Sequence, residues 1–186
     1  RDLARGTPVV ARELQERLDR PGDHHRSLTL FADRGATLDP DMALDFAPGV
    51  MCRAGFDPRL VPVLRRTLRE LEPDVIVAHG DEPLKYCAPA RPEGTPLIYS
   101  RTCSAGAVRG RWHLGYHRRL VERADMVVAV SDDVAHEVAT LFGVGADRLV
   151  TIPDGRDPRL FEPDRTARTV RTGQATSVPA VCPSRP

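Results

Sequence analysis

The sequence predicts an α/β fold in which helices cover both faces of a parallel sheet, and three observations lead there. Short apolar runs rich in β-branched residues recur at residues 75–78, 126–130 and 149–152, too brief for helices and without the alternation of half-solvated strands. Between them apolar residues return at helical spacing, most plainly Val134, Val138, Leu141 and Phe142. Each change of period is punctuated: Ser131 caps a helix with Asp132 and Asp133 in its first turn, Gly143 supplies a left-handed stop, and Pro153-Asp154-Gly155 makes a turn. Strand, helix and strand in that order within residues 124–161 form a β-α-β unit.

From the amino end, Thr7 as cap and Pro8 at the first helical position open a helix with an apolar stripe of Val10, Leu14 and Leu18. Arg20-Pro21-Gly22 stops it, and residues 27–31 read as a strand. Residues 33–55 carry Gly, Pro and Asp without a period and read as a surface loop holding at most a short helix. Leu60, Val61, Leu64, Leu68 and Leu71 make the next helical stripe, entered at Pro58 or Pro62, with Arg65, Arg66 and Arg69 on its solvated faces. The strand at 75–78 delivers His79 at its carboxyl end, the edge at which open parallel sheets bind ligands. Residues 80–92 read as loop with one helical turn at most, given Pro83, Pro89 and Pro92. A strand at 96–100, a polar loop at 101–111 and a helix marked by Trp112, Tyr116 and Leu120 then lead into the β-α-β unit.

With 186 residues the chain has room for one well-buried domain and too little for two full α/β domains. A formal charge of +1 gives no electrostatic case for nucleic acid or an anionic membrane. Lys85 is the only lysine, arginine carries the rest of the positive charge, and this reads as coding bias before it reads as a binding surface. No stretch approaches about 20 apolar residues, and the amino end lacks the apolar core of a secretory signal. The expectation is a cytoplasmic protein without a transmembrane segment, peripheral membrane contact being left open. Cys52, Cys87, Cys103 and Cys182 are far apart and form no CxxC pair, which fits reduced thiols.

The order A-D-x-V-V-A-V-S, then a helix ending L-F-G-V, then D-R-L-V-T-I-P-D-G-x-D-P-x-x-F resembles the family 4 glycosyltransferases at the end of their N-terminal domain. Members usually carry Asn at the position of Asp154 and an apolar residue at that of Arg156. The resemblance covers residues 6–161 and implies the N-terminal, acceptor-side half of a GT-B fold, a Rossmann-like domain spanning residues 1–163. It also implies truncation at both ends. A first, central strand with its glycine-rich loop would precede Gly6, and residues 164–186 would be a disordered tail or the start of a linker to a C-terminal domain. The activity implied is transfer of a hexosyl-type sugar from a nucleotide-sugar donor to a hydroxyl acceptor, with retention, no cofactor and no obligatory metal. The missing C-terminal domain would hold the donor's nucleotide, so this chain alone is expected to be inactive. Pro153, Asp154 and Gly155 would form the interdomain hinge.

His79 is the candidate catalytic residue, because the resemblance implies a cleft-facing histidine at this strand end that can hydrogen-bond a sugar hydroxyl or support the departing phosphate. The competing reading is a histidine that satisfies a loop carbonyl. Asp81 and Glu82 could serve as a base for the acceptor hydroxyl, though solvated loop acids fit better. Three residues are candidates for substrate binding. Gly6 would be the last glycine of a phosphate-approaching loop. Arg101 lies past a strand end and could pair with an anionic acceptor or phosphate. Ser131 sits at a strand-to-helix junction, where capping is its plainer job because Asp132 and Asp133 repel anions. His113 and His117 are an HxxxH pair without an acidic third ligand and read as incidental, so no metal site is expected. Two rival functions remain: a non-catalytic α/β module binding a ligand or partner chain, and an epimerase of GT-B shape.

Overall fold

A computed structural model describes residues 6–18, 20–31, 40–47, 56–102, 111–153 and 155. The chain divides into two compact units, residues 1–154 and 155–186, and every helix and strand described below belongs to the first. Helix α1 (Gly6–Leu18) is followed by strands β1 (Leu28–Phe31) and β2 (Met42–Phe46), and then by helix α2 (Leu60–Leu71). After that, strand and helix alternate: β3 (Ile76–His79), α3 (Asp81–Ala90), β4 (Leu97–Arg101), α4 (Arg111–Val121), β5 (Met126–Ala129), α5 (Asp132–Phe142) and β6 (Leu149–Thr151). All strand pairs are parallel, in a four-stranded sheet ordered β3-β4-β5-β6 and a two-stranded sheet of β1 and β2. The expected α/β architecture, parallel sheets flanked by helices, is what the chain adopts.

The core follows from register. Ile76 lies beside Leu97, Ala78 beside Tyr99, and Val127 beside Tyr99 and Leu149, so these side chains share one face of the sheet. That face is buried, with α3 packed on β3 and β4, and α5 on β5 and β6. Leu60, Leu64 and Leu68 of α2 and Leu84, Val138 and Phe142 of the neighbouring helices complete it. The other face differs from the expectation of strands buried on both sides: Val75, Val77, Val150 and Ile152 are exposed. Leu14 and Leu18 of the α1 stripe are exposed as well.

Local signals behave as their chemistry dictates. The Ser131 side chain accepts from Val134 N–H at 3.3 Å, and Gly143 closes α5 at φ 69°. Pro21 and Gly22 occupy the centre of a turn closed by Asp23 N–H to the Arg20 carbonyl at 2.9 Å, with Gly22 at φ 100°.

Two segments overturn their expected loop character. The first is residues 80–92, of which α3 occupies Asp81–Ala90. Pro83 falls in its first turn, where no N–H is needed, and Pro89 falls next to its end. The second is residues 33–55, which contain β2. Its pairing shifts between Thr29 and Phe31, and Asp45 at φ 45° absorbs the additional residue as a bulge. Met42, Leu44 and Phe46 nevertheless alternate with exposed Ala43 and Asp45, a period-2 pattern set among Gly, Pro and Asp residues that read as loop. Asp154, Cys52, Cys103, Cys182, residues 164–186 and the side chains of Trp112 and His113 lie outside the described residues.

Candidate functional site

Because β3, β4 and β5 are parallel and in register, their carboxyl ends form one rim. His79 closes β3 beside Ser100, Arg101 closes β4 beside Ala129, and Ser131 stands just beyond β5. Ile152 N–H donates to the Ala129 carbonyl at 2.8 Å, so Pro153 also leaves from this rim. The rim thus gathers His79, Arg101, Ser131 and Pro153 as the sequence anticipated. Gly6 is the first residue of α1.

The turn between β3 and α3 is a single residue. Gly80 takes φ 93° and ψ 176°, a conformation that side chains disfavour, and the helix begins at Asp81. Gly80 N–H donates to the Ser100 carbonyl at 2.8 Å. His79 is therefore half-buried at the very end of a strand, with its ring Nδ1 shielded from solvent.

Arg101, expected to face an anion, has a guanidinium only 2% exposed. Its Nη1 donates to Asp81 Oδ1 at 3.1 Å and to Tyr99 Oη at 2.9 Å, and its Cζ stands 5.3 Å from the Phe142 ring centroid. The Tyr99 hydroxyl also donates to Asp81 Oδ1. Burial, reinforced by the Asp81 carboxylate, pushes the Tyr99 phenol far above its ordinary range, so it stays a donor. Sequence reasoning missed this cluster, although a Tyr and an Arg two apart on one strand must share a face.

Around the first turns of α3, Lys85 Nζ pairs with Glu82 Oε2 at 2.6 Å. Tyr116 of α4 is partly exposed, and its phenol is raised by burial and then by Glu82. Tyr116 edges onto Phe56 at 6.5 Å, which stacks on buried Tyr86. His117 is buried. Among the described residues no three His, Cys, Asp or Glu side chains are grouped so as to hold a metal ion.

Elsewhere, Arg65, Arg66 and Arg69 line a shallow hollow of about 440 Å³ on α2 with Pro62 and Glu70. Arg66 pairs with Glu70 at 2.8 Å and Arg65 donates to the Pro89 carbonyl at 2.6 Å, which fits a solvated face. No described helix is long and apolar enough to cross a membrane.

The sequence profile of Glycosyltransferase Family 4 matches residues 4–160. No curated protein matches the chain. Among solved structures, Anabaena HepE in complex with UDP and glucose aligns at 23% identity and a TM-score of 0.48. The alignment takes in 63% of this chain and 31% of HepE, so the chain spans less than a third of that protein's length.

Proposed function

This chain belongs to glycosyltransferase family 4, and from that premise we propose that it is the acceptor-side domain of a GT-B enzyme. The enzyme moves a hexosyl-type sugar from a nucleotide-sugar donor to a hydroxyl acceptor, with retention at the anomeric carbon. The observation that carries the reading is His79, delivered by β3 to the carboxyl rim directly before a one-residue turn into α3. An imidazole at that place can donate to a sugar hydroxyl or steady the charge that gathers on the departing phosphate.

In this reading a C-terminal domain brings the donor's nucleotide to the rim, and residues 153–155 carry the hinge between the two. Ser131 meets substrate at the same rim while capping α5, and Gly6 opens α1 toward the donor phosphates. No cofactor beyond the nucleotide-sugar is invoked, and the setting is cytoplasmic.

Sugar transfer measured with a panel of nucleotide-sugars tests it, using this chain alone and the chain joined to its C-terminal domain. The joined protein turns over, also in EDTA, and His79→Ala lowers its kcat by about a hundredfold or more. Rapid turnover by this chain alone would refute the division of labour, and an unchanged kcat in His79→Ala would refute the role of His79.

A further inference from the structure

We propose that Tyr99 and Arg101 are positioning residues that clamp Asp81 and thereby fix where His79 stands on the rim. The proposal rests on the assignment of His79 to the substrate, and adds the device that aims it.

Three consecutive residues of β4 hold Gly80, the β3–α3 turn, and Asp81, the first residue of α3. The Ser100 carbonyl accepts from Gly80 N–H at 2.8 Å, while Tyr99 and Arg101, on either side of Ser100, both donate to the Asp81 carboxylate. Alternation makes this arrangement possible. Tyr99 and Arg101 point to the buried face of the sheet, and Ser100 and its register partner His79 share the opposite face. The turn is therefore gripped from beneath while the imidazole is displayed above. Only Gly80 separates His79 from Asp81, so a displacement of the carboxylate passes to the histidine with no slack to absorb it.

Burial makes the clamp stiff. Tyr99 is 0% and Arg101 2% exposed, and the Phe142 ring centroid stands 5.3 Å from the guanidinium carbon. Arg101 Nε has no hydrogen-bond partner among the described residues, and Asp81 is the carboxylate that neutralises this buried cation. A buried guanidinium has nowhere else to turn when its counterion is removed. Arg101 thus acts on substrate through Asp81 and His79, not by contact.

Histidine ring resonances of the chain, observed by NMR with carbon-labelled histidine, test the clamp. His79 is assigned by its loss in His79→Gln. Asp81→Asn is expected to move or broaden the His79 signal beyond its linewidth while those of His25 and His136 stay in place. Tyr99→Phe, which removes one hydroxyl from the same cluster and keeps the ring, moves it in the same direction by less. Leu68→Ala, a core change in α2 of comparable thermal destabilisation, leaves it in place. A His79 signal that stays put in both Asp81→Asn and Tyr99→Phe, or that moves as much in Leu68→Ala, overturns the proposal. Because Tyr99→Phe alone suffices for the comparison, a failure of Asp81→Asn to fold does not remove the test. The NMR readout needs no catalysis, so it can succeed even where the transfer assay rejects His79.

Discussion

The four-stranded sheet and the α1–β1–β2 region are built from the same kinds of element yet held by different forces. In the first, helices α2 to α5 close over a face of Ile, Leu, Val and Tyr side chains, and Leu60, Leu84, Leu97 and Val138 are fully buried. In the second, among the described residues Leu30 is buried and Leu28, Phe31, Leu44 and Phe46 are half-buried against the same core, and polar contacts add much of the fastening. Asp41 accepts from Ser27 N–H at 2.7 Å, Ser27 Oγ at 2.9 Å and Gln15 Nε2 at 2.6 Å, tying α1, β1 and β2 at one carboxylate. Edge-to-face contacts of Phe31 with Phe46 and Tyr86 join this region to α3. Apolar burial is indifferent to pH, whereas a carboxylate clasp is not. The α1–β1–β2 region is therefore expected to loosen first as pH falls.

A pair of truncations separates the two regions most strongly. Leu97→Ala removes a fully buried side chain and lowers global stability by about 2–5 kcal/mol in urea unfolding, while Leu14→Ala on exposed α1 changes it by less than about 0.5 kcal/mol. Equal effects would mean that α1 is fastened by apolar burial as firmly as the sheet is. Gly143→Ala tests a backbone contribution within the sheet region. At φ 69° a Cβ is strained, and its nearest neighbour would be the Arg118 guanidinium at 3.2 Å, so thermal unfolding should report a loss of about 1 kcal/mol.

Acid then separates the regions. Hydrogen bonds from Ser27 N–H, Gln15 and Ser27 lower the Asp41 carboxyl to about 2. A folded value below the unfolded one, which lies near 3.9, means stability that is present above that unfolded value and lost as pH falls toward about 2. Exposure screens the effect to roughly 1 kcal/mol or less. Amide protection at Leu30 and Leu44, taken relative to the intrinsic exchange rate at each pH, should fall between about pH 4 and 2 ahead of that at Val127 and Ala129, and Asp41→Asn should abolish that difference. Asp125 is lowered in the same direction by Leu97 N–H and then by Arg91, but it works beside a packed core. The smallest effect concerns Cys87, whose thiol burial pushes up to about 12: peptide mass spectrometry should find it unmodified after exposure of the folded chain to a thiol reagent at pH 8.

What was legible in the sequence follows the same divide. Strands β3 to β6 and helices α2, α4 and α5 were readable because each is short, apolar and bracketed by Pro, Ser or Gly, so local pattern and tertiary burial agree. Helix α3 was hidden by its prolines: Pro83 falls in the first turn, which tolerates it, whereas Pro89 removes one N–H from the last turn, just before the helix stops at Ala90. Strand β2 carries a period-2 pattern in Met42, Leu44 and Phe46, but it is five residues long and set among Gly, Pro and Asp residues that signal loop. At the rim, the place of His79 and the cap at Ser131 were visible from sequence. The engagement of Arg101 was not, because whether an arginine at a strand end reaches solvent or a carboxylate one strand away depends on register, which a single sequence does not contain.

The lone lysine has a practical side. Lys85 sits in α3 four residues after Asp81 and is paired with Glu82, so on this chain an amine-reactive fluorophore has one lysine to reach besides the amino terminus, about one helical turn from the proposed acceptor rim. Its emission would follow ligand arrival in the unmutated protein, with no cysteine introduced and none removed.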